Sequence, residues 1–248
     1  MLKVVKIGGG VLDDPVKEEE FLQAFIKLEH PKILVHGGGM YATKLAARLG
    51  VETTIIDGRR ITDAPNLEVI TLAYPAINKR LTARIQALGQ DAIGISGADL
   101  GILKSEKRVH PTIDYGFVGD IISTKIDKLK LLLELEIVPV FCAITSTSEG
   151  TLLNTNADTI ASEIASAGHA DELIFCFEKG GVLEYPDDDS SVLSSITLAD
   201  IDRLTSTGKI STGMIPKLHN AVKALKKGVS SVRITHYSDL NGGTIVES

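Results

Sequence analysis

The chain has 248 residues, 44% hydrophobic and 23% charged, the balance of a folded globular protein and not of a disordered or fibrous one. Its length suits one large domain or two small ones. A formal net charge of −6 argues against an extended nucleic-acid partner, which needs a basic excess, but leaves room for local positive charge that holds a small anion.

In chain order, short apolar runs alternate with stretches of helical period. The first strand is expected at 3–7, a helix at 16–28, a second strand at 32–35 and a helix at 40–49. A longer helix is expected at 66–88, kinked by Pro75, which removes a hydrogen bond and clashes one turn back. A strand at 91–95 precedes several short glycine-containing pieces over 100–122, read as hairpins on an edge. A helix at 129–135, a strand at 137–142, a helix at 157–167 and a strand at 172–177 follow. Residues 185–195 are acidic and serine-rich and read as an exposed loop; helices at 198–204 and 214–227 and a strand at 232–235 complete the chain. This alternation is the signal of βαβ units around a mostly parallel sheet. A weak boundary near Gly150 divides an N-terminal half from a C-terminal half that share one sheet. Residues 1–7 lack the apolar run and cleavage site of a signal peptide, and no segment is long and apolar enough to span a membrane, so a cytoplasmic protein is expected. Cys142 and Cys176 each stand in an apolar run and are read as buried packing residues; there is no zinc-type cysteine cluster.

Two turns carry the chemistry. Lys6-Ile7-Gly8-Gly9-Gly10 follows the first strand, and His36-Gly37-Gly38-Gly39 follows the second and opens a helix. Glycines at such places let backbone N–H groups approach an anion closely, and the lysine adds full positive charge. Both turns fall at carboxyl ends of strands, the edge where open α/β sheets bind ligands. Neither is a Walker A sequence nor a G-x-G-x-x-G fingerprint, which disfavours the common nucleotide folds. His36 is read as a packing or turn-bonding residue and not as a general base.

Further motifs follow: Asp57-Gly58-Arg59-Arg60-Ile61-Thr62-Asp63, Ser96-Gly97-Ala98-Asp99, Gly116-Phe117-Val118-Gly119-Asp120, Leu153-Asn154-Thr155-Asn156-Ala157-Asp158, Gly180-Gly181-Val182-Leu183 and Gly213-Met214-Ile215-Pro216-Lys217-Leu218. In this order, behind the two glycine triplets, they resemble the motif series of the N-acetylglutamate kinases within the amino acid kinase family, over essentially the whole chain. The resemblance implies a three-layer αβα sandwich with a mostly parallel central sheet, in which a lobe of about 1–150 binds an acyl amino acid and a lobe of about 151–248 binds ATP. It implies transfer of the γ-phosphoryl group of ATP, with Mg²⁺, to a side-chain carboxylate in arginine or ornithine biosynthesis. By the same resemblance, Lys6 and Lys217 hold the transferring group and Asp158 orients them. Gly8, Gly9, Gly38 and Gly39 supply backbone donors, Arg60 and Asn154 grip the substrate, and Gly181, Gly213 and Met214 belong to the nucleotide loops.

The physical need agrees. A phosphoryl group in flight spreads negative charge over three oxygens while a charged carboxylate attacks, so positioned cations and N–H groups are what the reaction requires. A carboxylate is already ionised at pH 7, so no general base is needed. The bland readings stay open beside this one: Asn154 as a helix cap, Asp158 as a dipole partner, Lys217 as a solvated lysine, Arg60 paired with Asp57 or Asp63. Glu178 stands where the family has aspartate three residues before the nucleotide-loop glycine. Residues 143–148 differ from the expected glycine-containing stretch beside the acyl group, so N-succinylglutamate or an aminoadipate derivative is the alternative to N-acetylglutamate, with a non-catalytic nucleotide-binding protein behind both. The family's arginine-inhibited members carry an extra N-terminal helix, and the first strand here begins near Met1. The expected assembly is a plain homodimer, with Leu67, Ile70, Leu72, Ile77 and Leu81 as a candidate surface. No protein-borne metal site is expected.

Overall fold

The computed structural model describes residues 1–56, 58–185, 187–197, 199–201 and 215–247, with 215–217 described as backbone only. The chain divides into two units, residues 1–33 with 161–248 and residues 34–160.

In the first unit, β1 (Lys3–Ile7), β11 (Glu172–Phe177) and β13 (Ser231–His236) pair in parallel, β14 (Thr244–Glu247) runs antiparallel to β13, and β12 (Ser195–Thr197) pairs in parallel with β14. The interior strands read as nearly continuous apolar runs because both of their faces are buried. Val4, Val5, Ile7, Leu173 and Ile174 are all inaccessible to solvent. Helices α1 (Gly9–Leu12), α2 (Pro15–Ile26) and α7 (Ile215–Lys226) belong here, with most of α6 (Ala157–Ala167). Asp14 starts α2 by accepting from the N–H groups of Val16 at 2.9 Å and Lys17 at 3.3 Å, with Pro15 in the first turn, a position where its missing N–H costs nothing.

At the far end of α2 the fully buried Lys32 donates to the carbonyls of Phe25, Ile26 and Leu28 at 3.0, 3.2 and 2.6 Å, its ammonium 4.9 Å from the Phe25 ring centre. They lie in or just past the last turn, where a helix runs short of N–H donors, and the Phe25 carbonyl also accepts from Leu28 N at 3.1 Å. Burial, helped by the charge of Lys3, pushes the Lys32 ammonium down to about 8 from 10.5. The folded chain therefore releases this proton near pH 8 and the unfolded chain near its ordinary value, so between the two the unfolded state binds more protons and stability rises with pH. Lys32→Met is expected to lower stability by about 1–3 kcal/mol through the hydrogen bonds lost to these carbonyls, and the wild type's advantage over it should widen from pH 8 to pH 10. Chemical denaturation across that range checks both; an advantage that narrows would be the contrary result.

In the second unit, β2 (Lys32–His36), β8 (Val138–Cys142) and β5 (Ala92–Ser96) are parallel. A smaller sheet contains β10 (Leu152–Asn154), β9 (Ile144–Ser146), β6 (Leu103–Lys107) and β7 (Gly119–Thr124), mostly antiparallel, and β3 (Ile55–Ile56) with β4 (Arg59–Arg60) makes a short hairpin. The β6–β7 hairpin is the edge structure expected over 100–122; β9, β10, β3 and β4 are additions the sequence pattern did not announce. Helix α3 (Gly39–Arg48) packs on α4 (Ala64–Ala87), which packs on β5 and β8, as α5 (Asp127–Glu134) does on β8. The buried positions of α4, including Asn66, Ile70, Tyr74, Ile77, Asn78, Leu81 and Ile85, recur at helical spacing. In both units the sheet is mostly parallel and covered by helices, the α/β sandwich expected from the sequence.

Two local expectations are revised, and a third is described only in part. Ile70, Ile77 and Leu81 are buried inside the unit, so of the suggested dimer surface only Leu72, 54% exposed, points clearly outward. The acidic loop is exposed over most of its length but is closed at its base by a Leu183–Val192 bridge. Helix 198–204 is described only at 199–201. Cys142 and Cys176 are buried as read, and burial pushes the Cys142 thiol up to about 12 and raises that of Cys176; neither is a thiolate at neutral pH. Among the described residues no helix is long and apolar enough to cross a membrane.

Candidate active site

Chain order separates Gly39, the Arg60-Ile61-Thr62 segment and Asn154 widely, and the fold of residues 34–160 joins them through hydrogen bonds. Arg60 is 8% exposed. Its Nη1 donates to Thr53 Oγ1 at 2.8 Å and, at 3.5 Å, to Asn66 Oδ1, and its Nη2 donates to Gly39 O at 3.0 Å and Thr43 Oγ1 at 2.6 Å. These four acceptors are uncharged, so they orient the guanidinium without neutralising its charge; they engage all four Nη hydrogens, so a carboxylate that takes two of its N–H groups displaces one or more of them. Burial pushes Arg60 down from its ordinary value, opposed by Tyr74; an arginine nevertheless remains charged. The surface pairing of Arg60 with Asp63 is thereby corrected: Asp63 caps α4, accepting from Asn66 N at 2.9 Å and Asn66 Nδ2 at 2.8 Å. Asp57, the other suggested partner, lies outside the described residues.

Two residues beyond Arg60, Thr62 bridges Gly116 and takes an N–H bond from Phe117 at 2.6 Å. Gly116 is needed there twice over: its φ is +67°, and a Cβ would stand 2.4 Å from the Thr62 carbonyl oxygen. Asn154 then joins the same ladder, its N–H donating to Phe117 O at 2.8 Å and its Nδ2 to Thr62 Oγ1 at 3.0 Å. Asn154 is therefore not the cap of α6. That role falls to Asn156, whose Oδ1 accepts from Thr159 N at 3.1 Å. Asp158 lies in the first turn of α6, half-buried. The start of α6 adjoins the second glycine turn, since a Cβ on Gly37 would be 3.8 Å from that of Ala157. Two helix N-termini, those of α3 and α6, thus approach one place, an arrangement that favours negative charge.

The glycines of the second turn differ. A Cβ on Gly38 would lie 2.7 Å from Ile77 Cδ1 and 2.8 Å from Tyr74 Cδ1, whereas one on Gly39 would meet nothing within 4 Å. Gly38 is fixed by packing from beneath, and Gly39 leaves open space.

In the other unit, Lys6 is the penultimate residue of β1, 9% exposed. Its ammonium is 3.8 Å from where a Cβ on Gly8 would sit and 5.9 Å from the Phe177 ring centre, so it folds back over the glycine turn that follows it. Gly8 precedes the single turn of α1, which begins at Gly9. Gly181 is enclosed, its Cβ position 2.6 Å from Thr244 Oγ1 and 2.8 Å from Val192 Cγ1. Glu178 forms an exposed ion pair with Lys17 at 2.5 Å, which holds its carboxyl below the usual range. Lys217 stands in α7; its side chain, Gly213 and Met214 lie outside the described residues.

Sequence reasoning passed over Thr43, Thr53, Asn66 and Asn78. The available signal was polar residues at buried stations of α4: Asn66 and Asn78 share the apolar stripe, and a buried amide must find partners.

The family model "Amino acid kinase family" matches residues 1–236. An acetylglutamate kinase of Parabacteroides distasonis is 45% identical over 246 residues, covering 98% of this chain and 96% of that protein. One of Cytophaga hutchinsonii is 46% identical over 244 residues, covering 96% and 92%. A crystal structure of a Streptococcus mutans protein superposes with a TM-score of 0.80 at 26% identity, covering 99% of this chain and 98% of the other. By sequence and by architecture, the chain belongs to the amino acid kinase family.

Proposed function

We propose that the chain transfers the γ-phosphoryl group of ATP to the side-chain carboxylate of an N-acyl-L-glutamate, N-acetyl-L-glutamate first, giving an acyl phosphate for arginine or ornithine synthesis. Near-full-length similarity to acetylglutamate kinases supports the reaction class. The observation that carries the substrate is Arg60, buried, braced by uncharged acceptors and bonded to Gly39 beside open space.

In this reading Arg60 and Asn154 hold the amino acid, Arg60 taking a carboxylate through two parallel bonds that replace bonds it makes to uncharged acceptors. Gly38 and Gly39 present N–H groups at the start of α3, and Gly8 and Gly9 do so at the start of α1. Lys6 and Lys217 neutralise the charge that spreads over the phosphoryl oxygens, Asp158 orients the lysines, and Gly181, Gly213 and Met214 belong to the nucleotide side. Residues 1–150 supply the acyl amino acid lobe and 151–248 the ATP lobe. Among the described residues no group of three or more His, Cys, Asp or Glu is placed to hold a metal. A Mg²⁺ ion carried by nucleotide phosphates and water would offset phosphate charge when bound. In this reading the working form is a cytoplasmic homodimer, and light scattering in solution should give twice the mass of one chain.

A second acyl group is favoured by one feature. Residues 143–148, next to Asn154 in the small sheet, carry an ammonium: Lys104 Nζ donates to Thr147 O at 3.1 Å and to Ser146 Oγ at 3.4 Å. A cation there suits an acyl group with its own carboxylate, such as N-succinyl. Turnover of N-acetyl-, N-succinyl- and aminoadipate-derived substrates with MgATP ranks them; no turnover of any would leave a nucleotide-binding protein.

The contrast between the two glycines gives a prediction. Gly38→Ala is expected to lower thermal stability by about 1–3 kcal/mol through overpacking on Tyr74 and Ile77. Gly39→Ala should melt normally yet reduce kcat/KM about tenfold or more, because the methyl enters the space assigned to ligand. Kinetics beside melting curves test this, and a fully active Gly39→Ala would remove Gly39 from the site.

A further inference from the structure

The second glycine turn is anchored from within by a residue the proposed reaction does not use. His36, the last residue of β2, is fully buried. Its Nδ1 lies 2.8 Å from Gly37 O and its Nε2 3.1 Å from Asn78 Nδ2. The Asn78 amide can be oriented without ambiguity, because its nitrogen also lies 2.8 Å from Val140 O, and a carbonyl only accepts. One amide hydrogen goes to Val140 and the other to His36, with the Ile95 carbonyl a longer contact at 3.5 Å. Nε2 is then the acceptor, the ring proton is on Nδ1, and Nδ1–H donates to the Gly37 carbonyl. Burial pushes this imidazole down to about 4, outweighing the Gly37 bond that raises it, so the ring is neutral at physiological pH.

Asn78 is in turn placed by Gly94, where a Cβ would stand 2.1 Å from Asn78 Oδ1 and 2.6 Å from Thr82 Oγ1. Thr82 donates to Asn78 O at 2.8 Å, closing the frame. The consequence for the turn follows from peptide geometry: in a planar trans unit, the C=O of one residue and the N–H of the next point in opposite directions. A Gly37 carbonyl held inward sends the Gly38 N–H outward. Helix α3 begins its own ladder only with Ala42 N to Gly38 O at 2.9 Å, so the N–H groups of Gly38 and Gly39 belong to the turn that precedes intrahelical bonding.

We propose that His36 and Asn78 are positioning residues: through the Nδ1–H bond to Gly37 they aim the Gly38 N–H at the carboxylate or phosphoryl oxygen received by the turn. This rests on the reaction proposed above, and wild-type turnover of an N-acyl glutamate is the control that tests that reaction separately.

The competing account is a histidine that only fills space, and two substitutions separate them. In His36→Asn the side-chain amide nitrogen falls where Nδ1 was and keeps the bond to Gly37, while contact with Asn78 is lost. In His36→Gln the amide reaches the Nε2 position, keeping Asn78 and losing Gly37. His36→Asn should keep kcat within about threefold, and His36→Gln should lower it about tenfold or more, by the usual loss on misplacing one donor, with the KM for MgATP little changed. Melting temperatures should not follow that order, since the longer side chain fills the site better. Equal losses in the two variants, or losses that follow the folded fraction, would overturn the proposal. A measurement on the unmodified protein is independent of variant folding: ¹⁵N NMR of the imidazoles, with His36 assigned by its absence in His36→Asn, should show Nδ1 protonated and Nε2 bare. A ring protonated on Nε2 would overturn it.

Discussion

Replacing Lys6 with methionine is expected to lower kcat about 10²-fold or more, by analogy with loss of one transition-state donor, and to leave the fold nearly as stable as before. The aliphatic stem of Lys6 lies among buried β1 residues, and methionine reproduces most of its volume and apolar contact. Only the ammonium is removed, and it lies over the glycine turn, 3.8 Å from the place of a Gly8 Cβ. If that charge stabilises negative charge on the moving phosphoryl group, its loss is felt in the transition state more than in the ground state, so kcat falls more than the KM for either substrate changes. Arginine at this place should not rescue, since its planar fork cannot occupy the site of a compact ammonium. Steady-state kinetics with melting curves decide it: a folded Lys6→Met enzyme with near-normal kcat would make Lys6 an ordinary strand-end lysine.

Asp158→Asn is expected to abolish most turnover while nucleotide still binds. Two accounts of this residue forecast different numbers. An aspartate in the first turn of α6 complements the helix dipole in any protein, and asparagine would then cost about 0.3–1 kcal/mol of stability with turnover unchanged. A carboxylate that orients the catalytic lysines loses its charge but not its shape on becoming asparagine, so kcat collapses. Affinity for an unreactive ATP analogue should hold or improve, because a negative charge near phosphates has been removed. The cap of α6 is supplied independently by Asn156, so the helix start survives the change and the two accounts can be read apart. Calorimetric binding together with kinetics tests this; unchanged kcat with a slightly lower melting temperature would return Asp158 to a structural role.

The order of elements was legible in the sequence because buried parallel strands are written as apolar runs, and β1, β2, β8 and β11 are buried on both faces. The small sheet was not legible. Its strands β9 and β10 are three residues each, too short to show a period, and they lie against close approaches such as that of Gly119 to Leu153 and Thr145, which no local pattern records. Arg60 was legible as a candidate through its motif, but its setting was not: Thr53, Thr43 and the Gly39 carbonyl reach it from other segments of the unit. Asn154 shows the same limit. Sequence alone left a cap and a ligand-binding residue equally open, and the bond to Thr62 with the cap at Asn156 removes the first. His36 was correctly read as a turn-bonding residue, yet its partner Asn78 is 42 positions away and only the fold brings them together.

The central claim is that a carboxylate is phosphorylated, and trapping of the product tests it most directly. Incubation of the full chain with MgATP, N-acetyl-L-glutamate and hydroxylamine should yield the hydroxamate of the side-chain carboxyl group, in step with ADP release and dependent on both substrates. ADP released without hydroxamate would contradict the claim, because it would mean that the phosphoryl group goes to water or to an acceptor other than a carboxylate.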